Sequence, residues 1–154
     1  MATQLKIARS SELPVPAQDL LPRLDMPGVN AEMWPLLVMT APPEWRARPI
    51  VSWPAGGTLF TSWILLFGVL PLDRHVFALR AVDPGAGFSE SSHSLINRVW
   101  AHDRTIVATA SGCRVTDEVQ FQCRVAPLAY LLRPVYRFVF WWRHRRLRKL
   151  YGVI

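Results

Sequence analysis

The chain has 154 residues, 18 Lys+Arg against 11 Asp+Glu for a formal charge of +7, 51% apolar side chains and seven tryptophans. The length suits one domain with its own core over residues 1–154, and the composition excludes a disordered acidic or low-complexity chain. Two cysteines exclude a disulfide-dense miniprotein and a four-cysteine zinc module.

Charge is segregated along the chain. Residues 1–118 carry 10 basic and 11 acidic side chains, whereas residues 119–154 carry eight basic and none acidic. The positive field therefore belongs to one element. The first 15 residues hold no apolar h-region, so the expectation is a cytoplasmic chain without a secretory leader, with Cys113 and Cys123 as reduced thiols.

Gln4–Arg9 reads as a first strand, broken over Leu13–Pro16, and residues 17–24 fit one or two helical turns. Met26-Pro27-Gly28 reads as a turn. Asn30 then caps a short amphipathic helix containing Met33, Trp34, Leu37 and Val38, with Pro35 in its first turns and Ala41-Pro42-Pro43 as its stop. Residues 44–57 read as a loop. Pro49 to Leu72 is uncharged over 24 positions, but Pro54, Gly56 and Gly57 interrupt it. The remaining Thr58–Leu72 is short for a membrane helix and reads as a buried strand.

Strands are expected over 58–69, 74–82, 87–100, 103–110 and 113–124, separated by Pro71-Leu72-Asp73, Asp83-Pro84-Gly85 and Ser111-Gly112. A helix follows over 127–150, about 36 Å long, with Pro134 as a kink point. One strand, two short helices, a meander and a long helix make an α+β layout. A curved antiparallel sheet of six to seven strands needs a cover on one face, and the long helix alone is large enough: a helix-grip arrangement.

Strand 113–123 alternates, with Cys113, Val115, Asp117, Val119, Phe121 and Cys123 on the core side. Asp117 is a carboxylate on an apolar face and needs a partner. A two-residue Ser111-Gly112 loop would set Ile106 against Asp117, Arg104 against Val119 and His102 against Phe121, leaving Arg104 diagonal to Asp117. In strand 87–100, Glu90, Ser92, Ser94 and Arg98 share one parity and Ser89, Ser91, His93 and Asn97 the other, so it reads as an exposed edge, with a hydrated cavity wall as the alternative. His93 reads as a surface histidine.

Along the helix, Leu128, Leu132, Val135, Val139, Trp142 and Leu150 form the apolar stripe, and Arg133, Arg137, His144 and Arg148 an opposite basic surface. There is no GxSxG, HExxH, CxxC or GxxxxGK[ST], and four dispersed histidines predict no metal site. Cys113 and Cys123 lie about 33 Å apart along one strand, too far to pair.

The run Trp100-Ala-His-Asp-Arg104, then Gly112, Asp117-Glu-Val-Gln-Phe121 and Phe140-Trp-Trp-Arg143-His144-Arg-Arg-Leu147 resembles the START-like helix-grip superfamily (SRPBCC), which includes polyketide cyclases and dehydrases and lipid-transfer proteins. The resemblance implies an apolar ligand between sheet and helix, catalysis in only some members, and a frequent aspartate at the position of Asp117. The prolines at 42–43 and the 49–57 loop depart from that pattern.

The leading expectation is therefore a non-enzymatic carrier of a hydrophobic small molecule or lipid, without a cofactor or metal. Its walls would be Trp63, Phe77, Leu79, Ile106, Val119, Phe121, Val135 and Val139, with His102, Arg104 and Asp117 orienting a polar end. One alternative is a cyclase-like enzyme using His102 or Asp117 as the proton-moving catalytic group. Another is a basic helix docking peripherally on anionic membrane, with nucleic acid the less favoured partner because aromatics flank the basic residues.

Overall fold

The computed structural model describes residues 4–154. β1 (Leu5–Leu13) leads into α1 (Ala17–Leu20) and a 3-10 turn (Leu21–Arg23). Then come α2 (Met26–Met33), the short β2 (Leu37–Met39), α3 (Pro43–Arg46) and a second 3-10 turn (Ile50–Ser52). β3 (Thr58–Leu66), β4 (Leu70–Asp83), β5 (Gly87–Ser94), β6 (Asn97–Thr109) and β7 (Gly112–Cys123) follow in succession, and then α4 (Leu128–Tyr151). The seven strands form one antiparallel sheet in the order β1-β7-β6-β5-β4-β3-β2. The curled sheet holds α4 against its concave face, which is the helix-grip α+β fold.

Several elements differ from the sequence expectation, each for a local reason. β1 runs on to Leu13 because the outer edge of β7 offers it a full ladder, from Leu5 opposite Phe121 to Leu13 opposite Cys113. Met26-Pro27-Gly28 is a helix start and not a turn. Asp25 caps it by accepting from the Gly28 N–H at 2.8 Å, and proline is tolerated in a first turn. Asn30 is consequently inside the helix, where its amide brackets the backbone of Met39 through both Oδ1 and Nδ2. Leu37 and Val38 belong to β2, which pairs with β3. The 44–57 stretch is not simply a loop: its short helical turns bury Ile50 and Trp53.

The region 87–110 is cut at a different place. Leu95-Ile96 separates β5 from β6, and β6 runs unbroken from Asn97 to Thr109. β5 is an interior strand hydrogen-bonded to β4 and β6, not an exposed edge, and Glu90, Ser92 and Ser94 point to the buried side. His93 is on the exposed parity.

The β6–β7 loop is Ala110-Ser111, because Gly112 already pairs with Thr109. That shift slides the register by two residues, which keeps side-chain parity but changes every partner. Arg104 therefore lies directly opposite Asp117, Ile106 opposite Val115 and His102 opposite Val119.

The buried face of α4 is rotated by about one residue, roughly 100°, from the expected stripe. It carries Ala129, Phe140, Arg143, His144 and Leu147, while Leu150 and Val135 are about half exposed. Hydropathy cannot select this face, since two of its members are basic. His144 is 0% exposed and does not belong to a basic surface. Arg133 and Arg137 are exposed, and Arg148 bends back to donate to Ser11 Oγ at 2.9 Å. Among the described residues no helix is long and apolar enough to cross a membrane.

Candidate functional site

Three apolar clusters surround the inner face of the sheet. One gathers α2, Ile50, Trp53, Phe60, Phe77 and Leu79. A second joins Leu13, Leu20, Ile106, Val115 and Leu147, and a third joins Ile7, Val119, Phe121 and Phe140. Between them, a cavity of about 480 Å³ runs under α4. Its walls come from α2, β2, the 3-10 turn at Ile50, β3 to β6 and α4. The half-exposed members Leu72, Val135 and Phe138 mark its mouth. A separate depression between Ala17–Pro22, Pro49–Ser52 and Pro84-Gly85 is open to solvent and carries no charged side chain.

One wall of the cavity is polar. His75 on β4 and Glu90 on β5 meet at 2.6 Å, Nε2 to Oε2, and both are buried. Glu90 Oε1 lies 3.6 Å from His102 Nδ1. Burial alone would raise the Glu90 carboxyl, but the flanking His75 and His102 imidazoles hold it down at about 2. An ionised Glu90 accepts only, so His75 Nε2 carries the proton it donates. No side chain or backbone group of the described residues hydrogen-bonds His75 Nδ1.

Behind that wall lies a sealed ionic cluster. Asp117 is 1% exposed and takes four hydrogen bonds. Oδ1 accepts from His102 Nε2 at 2.7 Å and Arg104 Nε at 2.8 Å. Oδ2 accepts from Arg104 Nη2 at 2.7 Å and His144 Nε2 at 2.8 Å. Arg104 also grips Glu32 of α2 through Nη1 and Nη2, at 2.9 and 2.7 Å. Burial pushes the Asp117 carboxyl up, but Arg104 beside it and the imidazole bonds bring it well below the usual carboxylate range. Burial likewise opposes ionisation of Glu32, and Arg104 and Arg143 reverse it.

The two histidines on Asp117 are shifted in opposite directions. Burial works against a charge on His102, but its bonds to Asp117 and Glu90 prevail and raise its pKa. His144 is lowered by burial, which, helped by Arg104 and Arg143 nearby, outweighs its bond to Asp117. A neutral His144 that donates from Nε2 must accept at Nδ1, so the Ser11 hydroxyl, 2.8 Å away, donates to it and in turn accepts from Arg148.

The expected wall residues divide between cavity and core. Phe77, Leu79, Val135 and Val139 line the cavity, as does His102. Trp63 does not: it is 43% exposed, with Arg74 over its ring, because its parity on β3 faces outward. Ile106, Val119 and Phe121 are packed into the flanking clusters, and Arg104 and Asp117 lie sealed behind His102. His75, Glu90, Glu32 and Arg143 are the members that sequence reasoning did not single out. The shared parity of Glu90, Ser92 and Ser94 was the available signal for Glu90.

Asp117→Asn leaves Arg104 with one carboxylate and removes the anion between two imidazoles. The expected loss is about 3–5 kcal/mol, read by urea denaturation at pH 7; a loss below about 1 kcal/mol would mean that the cluster does not anchor the fold. His102→Gln tests the protonated imidazole. A raised folded pKa gives stability that is complete below the ordinary histidine value and fades as pH climbs through the folded one. The gap between His102→Gln and the parent should therefore narrow as pH rises from about 6.5. A gap constant from pH 6 to pH 9 would contradict a charged His102.

Comparison with solved structures places this geometry among known folds. Protein CV1439 from Chromobacterium violaceum superposes with a TM-score of 0.68 at 13% identity, covering 98% of each chain. Ara h 8.0201 superposes at 0.62 and 12% identity, covering 96% of this chain and 97% of that one. DynU16, a protein of the dynemicin biosynthetic locus, superposes at 0.57 and 16% identity over 94% of this chain and 47% of its own. These likenesses support the helix-grip fold. No curated protein matches in sequence. The model of DUF8410, described as a domain of unknown function, matches residues 11–151, and the chain therefore belongs to the DUF8410 family.

Proposed function

We propose that the protein binds a hydrophobic small molecule or lipid in the cavity between sheet and α4, in the manner of START-like (SRPBCC) proteins. The observation that carries this reading is the 480 Å³ cavity, lined mainly by apolar side chains such as Met33, Leu79, Phe88, Leu132 and Val139. That volume lies within the ordinary range of ligand pockets, about 300–1,000 Å³. Burying apolar surface there would supply affinity at about 25 cal/mol per Å² before the losses of association are subtracted. The exposed Arg133, Arg137 and Leu131 of α4, with Phe138 at the cavity mouth, support peripheral contact with anionic membrane as a route of loading.

Two experiments test the binding reading together. Native mass spectrometry of freshly purified protein should show a co-purified small molecule. Val139→Trp should fill the cavity and abolish the fluorescence gain of N-phenyl-1-naphthylamine while the fold persists. Undiminished probe uptake by that variant would remove the cavity as the binding site.

The His75–Glu90 pair favours a second reading, a cyclase-like enzyme. With Nε2–H held by the Glu90 carboxylate, His75 sets Nδ1 on the cavity wall, where its lone pair would serve as a base. Such a base removes a proton next to a carbonyl, the step that opens aldol-type ring closure. Asp117 is unsuited to it, being filled by four donors away from the cavity. Hydrogen–deuterium exchange at the methyl group of 2-acetylnaphthalene, followed by NMR in D2O, should be accelerated by the protein and slowed in His75→Gln. Equal exchange with the two proteins would remove this reading and leave the carrier.

A further inference from the structure

Among the described residues, two buried side-chain polar atoms lack a hydrogen-bond partner: Thr109 Oγ1 and Arg143 Nε. The second is the informative one, because Arg143 lines the cavity and is 7% exposed. Its guanidinium lies over the Phe140 ring, 5.1 Å from the centroid, and reaches Glu32 Oε1 through Nη2 at 3.3 Å. That contact is long because Arg104 already occupies both Glu32 oxygens at 2.7 and 2.9 Å. Arg143 is thus fixed by a ring beneath it and a shared carboxylate at one corner, while its Nε–H finds no acceptor. A charged donor left unmatched in apolar surroundings is strongly unfavourable, and native proteins rarely keep one without a use.

We infer that Arg143 is the recognition group of the cavity, and that its ligand is an apolar molecule presenting an uncharged carbonyl oxygen, as in a ketone, ester or quinone, toward which the Arg143 guanidinium turns so that its buried Nε–H gains an acceptor. This rests on the reading of the cavity as a ligand site and narrows it. Charge selects the neutral oxygen over a carboxylate. Buried carboxylates already stand beside Arg143: Glu32 Oε1 lies 3.3 Å from its Nη2, and Glu90 lines the same cavity. A ligand carboxylate drawn to Arg143 would be set among them, whereas a carbonyl oxygen accepts from the guanidinium without adding a charge.

The test uses three bicyclic probes of similar size: 2-acetylnaphthalene, its hydrocarbon isostere 2-isopropenylnaphthalene, and 2-naphthoic acid. Affinities are measured by fluorescence titration at pH 7 for the parent, Arg143→Met and Arg143→Lys. Methionine keeps an apolar stem against Phe140, and lysine keeps a cation for Glu32 while removing the planar fork. The expected result is that the ketone loses roughly tenfold or more in both variants, the scale of a charge-assisted hydrogen bond, while the hydrocarbon does not weaken. Hydrocarbon binding also reports that each variant is folded, and 2-naphthoic acid should bind the parent more weakly than the ketone. A loss shared equally by ketone and hydrocarbon, or no loss in either variant, overturns the role of Arg143 and leaves the cavity reading intact. Tighter binding of the acid than of the ketone overturns the neutral carbonyl. Failure of the parent to bind any of the three overturns both readings.

Discussion

The pairing of Asp117 with Arg104 inside the sheet is the interaction on which the rest of the molecule depends. The two residues are direct cross-strand neighbours with their side chains on the concave face, where water cannot reach them. An isolated carboxylate there would be protonated, and an isolated guanidinium is not tolerated. Each is acceptable because the other is present and because Asp117 accepts four hydrogen bonds and Arg104 donates four. Those remaining partners come from elsewhere in the chain: Glu32 from α2, His144 from α4, His102 from β6 itself. A group that needs four bonds to stay buried therefore fixes three elements at once. Buried ion networks contribute little net stability relative to apolar packing, so the gain here lies in position: α2 and α4 can close on the sheet in one arrangement.

That arrangement divides the concave face into two halves with different jobs. Toward β1 and β7 the space is solid, filled by Leu13, Val115, Val119, Phe121 and the ionic cluster. Toward β3 and β4 the aromatic residues Trp45, Trp53, Phe60 and Phe77 pack edge-to-face and tilted against one another, bracing the outer wall. The cavity is what remains between the two. His102 stands on the boundary, bonded to Asp117 on the solid side and lining the open side with its ring.

The fold was legible in the sequence because its signals are periodic. β7 shows clean alternation, the strand meander is punctuated by turn residues, and one long helix was the sole cover available. What was not legible has a common physical cause. Periodicity reads hydropathy, and the decisive positions here are charged residues on buried faces. His144 and Arg143 sit in a run, Arg143-His144-Arg145-Arg146, that composition assigns to solvent, yet both are among the most buried residues of α4. Glu90 made β5 look like an edge because its partners, His75 and His102, lie 15 and 12 positions away in the chain and are brought near only by strand pairing. The two-residue slip at the β6–β7 loop preserved parity, so His102, Arg104 and Asp117 were assigned to the correct face with the wrong neighbours.

The position of Arg143 between the two halves bears on how a ligand could be taken up. Any oxygen that attracts its guanidinium toward the cavity would stretch the 3.3 Å contact with Glu32. Glu32 does not depend on that contact, since Arg104 holds both its oxygens more tightly. α2 therefore stays anchored whichever way Arg143 leans, and the network behind it need not change partners. The cavity walls are set by the sealed half and not by the ligand, so binding is expected to proceed with side-chain adjustment at Arg143 and little movement of the backbone. The same division explains why a reactive base would sit at His75 and not at Asp117: Asp117 is already filled by four donors behind the wall, whereas His75 stands on the cavity side.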